Sequence, residues 1–200
     1  MSSSLWPYIT PGVADKLFER LPGIPMSKRE IRVLMLSQLR LQPDSVLWDI
    51  GAGTGTIPVE VGLLCPQGQV VAVERDDEVA NLIRRNCDRF GVRNVTVIEG
   101  NAPECLATMG TAPSHIIAEG GRSVQVILQS AWQYLRSGGR IMAVSNNLEG
   151  LYSISESFAE LQVRNVEVVQ AAANRLEKRG NRQVFAALDP TFILSGEKLG

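Results

Sequence analysis

Cysteine is scarce and badly spaced for chemistry. Cys65, Cys87 and Cys105 are odd in number and far apart, so neither a disulfide framework nor a zinc site is indicated. Cys87 falls on the apolar face of an expected helix, where inert packing is a sufficient role. No stretch reaches about 18 consecutive apolar residues, which argues against a membrane span. Met1–Pro11 has neither a basic start nor an apolar run, so it does not read as a signal peptide. Charge of either sign is also missing in excess. A net charge of −1 argues against a dominant nucleic-acid-binding surface but leaves room for a local basic patch. Internal repeats and low-complexity segments are absent. These absences together place the chain in a reducing cytoplasm, with neither membrane nor nucleic acid as partner.

The composition that remains, 44% hydrophobic over 200 residues, suits one domain with a sizeable core. Residues 1–22 read as an irregular N-terminal arm, with Trp6, Tyr8, Leu17, Phe18 and Leu21 as anchors. A capping box is expected at Ser27-Lys28-Arg29-Glu30, with Ser27 as N-cap and Glu30 three residues on. The helix after it carries Ile31, Leu34, Met35 and Leu39 on one face.

The chain is organised around Val46-Leu47-Trp48-Asp49-Ile50-Gly51-Ala52-Gly53-Thr54-Gly55-Thr56. An apolar strand enters a turn with three glycines in five positions, and a helix starts at about Thr56. Glycine lets the backbone bend sharply and lets a ligand approach closely. The helix N-terminus offers free N–H groups to an anionic or carboxylate-bearing ligand. Asp49 stands at the carboxyl end of the strand, where open α/β sheets bind ligands. A dinucleotide fingerprint would need its third glycine at Thr56, so the nicotinamide pattern fails. A second apolar strand, Val70–Glu74, ends in an acid able to accept two hydroxyls.

Further elements follow in alternation. Asp76 caps a helix whose stripe is Val79, Ile83, Cys87 and Phe90, with Gly91 past its end. Strands are expected at 94–98, 114–118 and 140–145, and helices at 124–135 and about 148–161. Two last strands, near 163–173 and 182–188, lack an intervening helix and are expected to pair as an antiparallel edge hairpin. The pattern predicts an α/β fold: a seven-stranded, mostly parallel sheet with helices on both faces.

Asp49-x-Gly51-x-Gly53-x-Gly55 followed by Glu74 resembles the first motif of S-adenosylmethionine-dependent class I methyltransferases, whose Rossmann-like layout accounts for residues 46–145. Three further stretches narrow this: Gly23-Ile24-Pro25-Met26-Ser27-Lys28-Arg29-Glu30-Ile31-Arg32, Glu99-Gly100-Asn101-Ala102-Pro103-Glu104 and Glu119-Gly120-Gly121. With the glycine turn, they resemble the decarboxylating precorrin methyltransferases of cobalamin biosynthesis, over about residues 23–189. The same unit forms the C-terminal half of the fused precorrin-6Y methyltransferases.

The resemblance implies methylation at carbon 15 of a precorrin or cobalt-precorrin, coupled to decarboxylation of a ring acetate. It places S-adenosylmethionine against Ser27, Asp49, Gly51, Ala52, Gly53, Thr54 and Gly55, its ribose on Glu74 and its adenine beside Asn101 and Ala102. It places the macrocycle at Gly120 and Gly121. It also implies a homo-oligomer, a tetramer, and leaves open a separate precorrin methyltransferase partner for the other ring position. Two departures stand out. The family usually has Asp where Asn101 stands, though the amide oxygen still accepts a hydrogen bond. Arg122 follows the glycines where small residues are usual.

Methyl transfer from a sulfonium needs alignment more than acid–base machinery. The only histidine, His115, lies inside an expected strand and reads as structural. Glu119, at a strand's carboxyl end, is the candidate proton-handling group, or else a hydrogen-bonded loop acid. Lys28 and Arg122 are the favoured partners for the carboxylates of a precorrin. Arg175, Lys178, Arg179 and Arg182 surround Gly180 and read as either a second such group or a solvated turn. Rival readings are an RNA methyltransferase on the same fold, which predicts a basic face, and a non-catalytic cofactor-binding module.

Overall fold

The computed structural model describes residues 5–119, 121 and 123–200. Five strands are parallel: β1 (Val46–Ile50), β2 (Gln69–Glu74), β3 (Val95–Glu99), β4 (His115–Glu119) and β5 (Arg140–Ser145). The central runs β1 and β5 show no polar–apolar alternation, and both faces of each are buried. Such runs are expected of parallel strands covered by helices on both sides. The helices are α1 (Arg29–Leu39), α2 (Thr56–Leu64), α3 (Asp77–Phe90), α4 (Val124–Tyr134) and α5 (Leu148–Glu160).

Strand parity divides the core. Trp48, Ile50, Ile116 and Ile141 face α4 and α5. Leu47, Val70, Ile117 and Met142 face α1 and α2, with Ile31, Met35, Ile57 and Val61 packed on them. The side chain of Asp76 accepts from Val79 N at 3.0 Å, and Gly91 ends α3 in the left-handed region, both as expected.

The sheet order is β3-β2-β1-β4-β5, then β9 (Thr191–Glu197), then β6 (Arg164–Ala171) at the edge. β9 runs antiparallel to both neighbours. The seven-stranded, mostly parallel sheet with an antiparallel edge is therefore present. The expected partner was wrong: β6 pairs with β9, not with residues 182–188. That segment forms β8 (Arg182–Ala187) and pairs with β7 (Asn174–Arg179) in a separate two-stranded hairpin.

Two features hold β9 in the sheet. Arg140 of β5 is buried and donates to Glu197 of β9 at 2.7 Å and Glu167 of β6 at 3.0 Å. Gly196 lets the strands close up: a Cβ there would lie 2.4 Å from Val163 Cγ1 and 2.9 Å from Arg164 O.

The arm is anchored by fewer residues than expected. Phe18 is buried against Phe90, ring centroids 4.9 Å apart, and Val13 is buried beside it. Tyr8 is 64% exposed and anchors nothing in the core. The start of α1 differs from the expectation: the helix begins at Arg29 with Lys28 as N-cap, whose own side chain makes no cap bond, and Asp15 Oδ1 accepts from Arg29 N at 3.1 Å instead. The capping box is therefore not formed, because Ser27 and Glu30 have other partners.

Candidate functional site

Strand order reverses between β1 and β4, the switch point at which open α/β sheets leave a crevice. Register brings three acids to it. Asp49 pairs with Ala72 on β2 and with Ile117 on β4. Glu74 and Glu119 lie two residues beyond those partners, and residues two apart in a strand share a face. Carboxylates from three adjacent strands thus stand on the α1/α2 side of the sheet at its carboxyl end.

The glycine turn supplies the cradle. Gly51, Gly53 and Gly55 all have positive φ, at 85°, 52° and 79°. A Cβ on Gly51 would enter open space, while one on Gly55 would lie 2.9 Å from Ile83 Cγ2 and 3.1 Å from Ile83 Cα. Gly51 and Gly53 therefore border a cleft, and Gly55 lets α2 approach α3. Glu74 is clamped over the turn: it accepts from Gly53 N at 3.1 Å, Arg75 N at 2.9 Å and Asp76 N at 3.3 Å. Thr54 is buried, and its hydroxyl donates to Pro25 O at 3.0 Å, pinning the 23–27 segment against the turn.

The cleft, about 610 Å3, is bordered by Ser27, Gly51, Ala52, Gly53, Thr54, Glu74, Asn101, Ala102, Glu119 and Gly121, among others. Every residue expected to touch the cofactor reaches this wall except Asp49 and Gly55, which lie behind it. Asn101 donates its amide to Glu104 at 2.8 Å, which leaves its oxygen available as an acceptor. Gly120 and Arg122 lie outside the described residues. Lys28 stands apart from the cleft and borders a second hollow of about 430 Å3. The two spaces share Pro25, Met26, Ser27 and Glu119.

The hydroxyl of Ser27 donates to Glu119 Oε1 at 3.2 Å, so it is bonded at the cleft and not at the helix end. The Glu119 side chain is open to the cleft, yet protein surrounds its carboxyl closely. That enclosure raises its pKa, opposed by the Ser27 bond and reinforced by the charge of Glu74. Asp49 is 2% exposed, and no hydrogen bond reaches its carboxylate among the described residues. Burial pushes its pKa well up, and the charges of Glu119 and Glu74 add to this. An acid cluster of this kind favours a cationic ligand. His115 sits at the opposite end of β4, beside Ser114 Oγ at 2.9 Å, with its pKa lowered to about 4 by burial. It is neutral at physiological pH and remote from the cleft, as expected of a structural histidine.

One network escaped the sequence reading. Arg32 is fully buried and donates to Glu60 at 2.6 Å, to Asp15 at 2.8 Å, and to the carbonyls of Val13 and Ser27. Arg175 of β7 joins Asp15 and Glu30 to the same cluster. Arg175 is thus a half-buried tie between these acids and not part of a free basic patch. The signal was available: Glu60 is the lone acid in Thr-Ile-Pro-Val-Glu-Val-Gly-Leu-Leu, and a carboxylate inside an apolar helix requires a buried cation. Among the described residues there is no group of three or more metal-ligating side chains, and no helix is long and apolar enough to cross a membrane.

Residues 19–198 match a family model described as a precorrin methyltransferase domain. The chain is 39% identical over 192 residues to a probable cobalt-precorrin-6B C(15)-methyltransferase (decarboxylating) of Pyrobaculum calidifontis, covering 95% of this chain and 97% of that one. It is 31% identical to the cobalt-precorrin-6B C(15)-methyltransferase (decarboxylating) of Salmonella typhimurium, covering 92% of this chain and 95% of the other. The crystal structure of a precorrin-6Y C5,15-methyltransferase from Geobacter metallireducens superposes with a TM-score of 0.87 at 31% identity, over 96% of this chain and 100% of that one. The cleft, the acids around it and these likenesses agree: the chain belongs to the precorrin methyltransferase family and has the Rossmann-like class I methyltransferase fold.

Proposed function

We propose that this protein is an enzyme of cobalamin biosynthesis that methylates carbon 15 of cobalt-precorrin-6B, or its cobalt-free counterpart, with loss of carbon dioxide from a ring acetate. The observation that carries the reading is the acid-walled cleft over Gly51 and Gly53, continuous with a second hollow across Ser27 and Glu119. The residues fit S-adenosylmethionine. Glu74 keeps acceptor capacity for ribose hydroxyls beyond its backbone bonds, and Asp49 and Glu119 offer negative charge to a sulfonium and an ammonium. Bound there, the cofactor supplies an electrophilic methyl on a sulfonium.

The protein's own work is mostly positioning. Thr54 holds the 23–27 segment in place, and alignment of reacting groups contributes several kcal/mol in such reactions. Asn101 and Ala102 flank the adenine, and Gly120, Gly121, Arg122 and Lys28 serve the macrocycle. Glu119, whose pKa is raised by its enclosure, handles a proton during tautomerisation of the product. The unit acts as one domain, a cytoplasmic homotetramer, alone or with a separate methyltransferase for the other ring position.

Anaerobic incubation with S-adenosylmethionine and cobalt-precorrin-6B, followed by mass analysis, tests the reading. It requires a product with one added methyl and one carboxyl lost. Retention of full turnover by Glu119→Gln would remove Glu119 from the chemistry, and light scattering at one subunit's mass would remove the tetramer.

A further inference from the structure

The second hollow has an unusual charge arrangement. Its walls include Ile31 of α1, Val144 of β5 and Leu188 before β9, all apolar. Two acids face it from different elements: Glu119 from β4 and Asp189 from the segment before β9. Lys28 is the one cation bordering it among the described residues, and its ammonium has no hydrogen bond or ion pair among them. Its neighbours differ: Arg29, Arg32 and Arg175 are each paired with acids. Asn146, just past β5, and Thr191, at the start of β9, add side-chain donors to the same space.

The geometry points to this hollow as the receptor for the substrate carboxylate arm that leaves as carbon dioxide, with Lys28 holding that arm ionised. This rests on the methyltransferase reading above. Only an ionised arm can lose carbon dioxide, because the electrons that enter the ring are those of the bond from the arm carbon to its carboxylate. The balance is simple. A sulfonium donor delivers a methyl cation equivalent to the ring carbon, and the ring gains one positive charge. The arm's carbon–carboxylate bond then breaks, and its electron pair enters the conjugated system and discharges that charge. Carbon dioxide, the neutral thioether and an exocyclic methylene on the ring are left, with no oxidant and no added proton. Apolar walls and the charges of Glu119 and Asp189 all oppose ionisation of a carboxylate placed here. Among the described residues, Lys28 is the group that opposes them. Glu119 and Ser27, shared by both spaces, keep the arm next to the carbon that receives the methyl.

The test compares Lys28→Met, Lys28→Arg and Asn146→Leu with the unmodified protein, using S-adenosylmethionine and cobalt-precorrin-6B without oxygen. Mass analysis reports methylation and decarboxylation separately across pH, and calorimetry reports cofactor affinity. Lys28→Met is expected to accumulate a methylated macrocycle that keeps its carboxyl. Its yield of decarboxylated product should fall roughly tenfold or more, in line with loss of a charge-assisted hydrogen bond. The acid limb of decarboxylation should move to higher pH, cofactor affinity should stay unchanged, and Lys28→Arg should restore coupling. Asn146→Leu should raise the substrate KM without touching cofactor affinity, which keeps the test open if Lys28→Met does not fold. An unchanged product ratio and pH profile, or a loss of cofactor affinity in step with turnover, overturns the assignment. Failure of the unmodified protein to methylate this macrocycle overturns the functional reading, and the arm receptor with it.

Discussion

Removing Arg32 should lower the stability of the protein substantially. Its guanidinium is fully buried, and its partner Glu60 is 1% exposed at 2.6 Å. Arg32→Met leaves Glu60 inside the protein with only Gly12 N, at 2.5 Å, still bonded to it. It also strips a donor from Asp15 and from the carbonyls of Val13 and Ser27. Breaking a buried ion pair by deleting one partner costs about 3–5 kcal/mol. A chain of this size loses roughly 2–4 °C of Tm per kcal/mol, so a fall of roughly 6–20 °C follows.

Urea and thermal unfolding of Arg32→Met, Glu60→Leu and the double variant measure this. The double variant should recover part of the loss, because an apolar pair replaces a stranded charge. It should not recover all of it, because Val13 O and Ser27 O still lack their donor. A penalty below about 1 kcal/mol for Arg32→Met, the range of an exposed ion pair, would refute this reasoning.

Other expectations are shorter to state. Glu74→Ala should weaken S-adenosylmethionine binding by roughly ten- to hundredfold in calorimetry, the scale of hydrogen bonds to a charged group, and more than Glu74→Gln does. Gly55→Ala places a Cβ against Ile83 at positive φ, so it should lower Tm and cofactor affinity together, whereas an alanine at Gly91, where a Cβ meets nothing, should lower Tm alone. Asp49→Asn should stabilise the protein at neutral pH. The pKa of Asp49 is raised in the fold, so the native state holds its proton longer than the unfolded chain does. Stability from this group is therefore lost as pH climbs from the ordinary carboxylate range toward the raised value. The Tm advantage of the variant should vanish near pH 4 and grow above it, while its cofactor affinity falls.

The parts of this molecule that were legible from sequence are those fixed by local chemistry. Asp76 announces its helix because a cap needs only its own amides, and the glycine turn announces itself because positive φ excludes most residues. Strands β1 and β5 stand out as apolar runs. What stayed hidden was settled by distant partners. Ser27 and Glu30 have the spacing of a capping box, but Glu119 and Arg175 outcompete the helix end for them. β9 was missed because its seven residues follow Pro190 near the chain's end, and nothing local says that Glu197 will meet Arg140. Arg175 reads as one of four basic residues in a turn, and only the fold turns it inward.

The acid cluster shows how the site and the sheet constrain each other. Parallel register leaves no freedom once Asp49 sits opposite Ala72 and Ile117: acids two residues further along β2 and β4 must share its face. Three carboxylates so close repel one another, and the fold answers unevenly. Glu74 has three backbone donors and Glu119 has the Ser27 hydroxyl, but Asp49 has no donor among the described residues. The unanswered charge is the innermost one, behind the wall of the cleft. A cation seated in front of it would favour the ionised forms of Asp49 and Glu119, whose pKa values the fold raises. That predicts proton release on binding. Calorimetry in buffers of different ionisation enthalpy should show it, and an apparent binding enthalpy that is the same in every buffer would mean that Asp49 and Glu119 do not sense the ligand's charge.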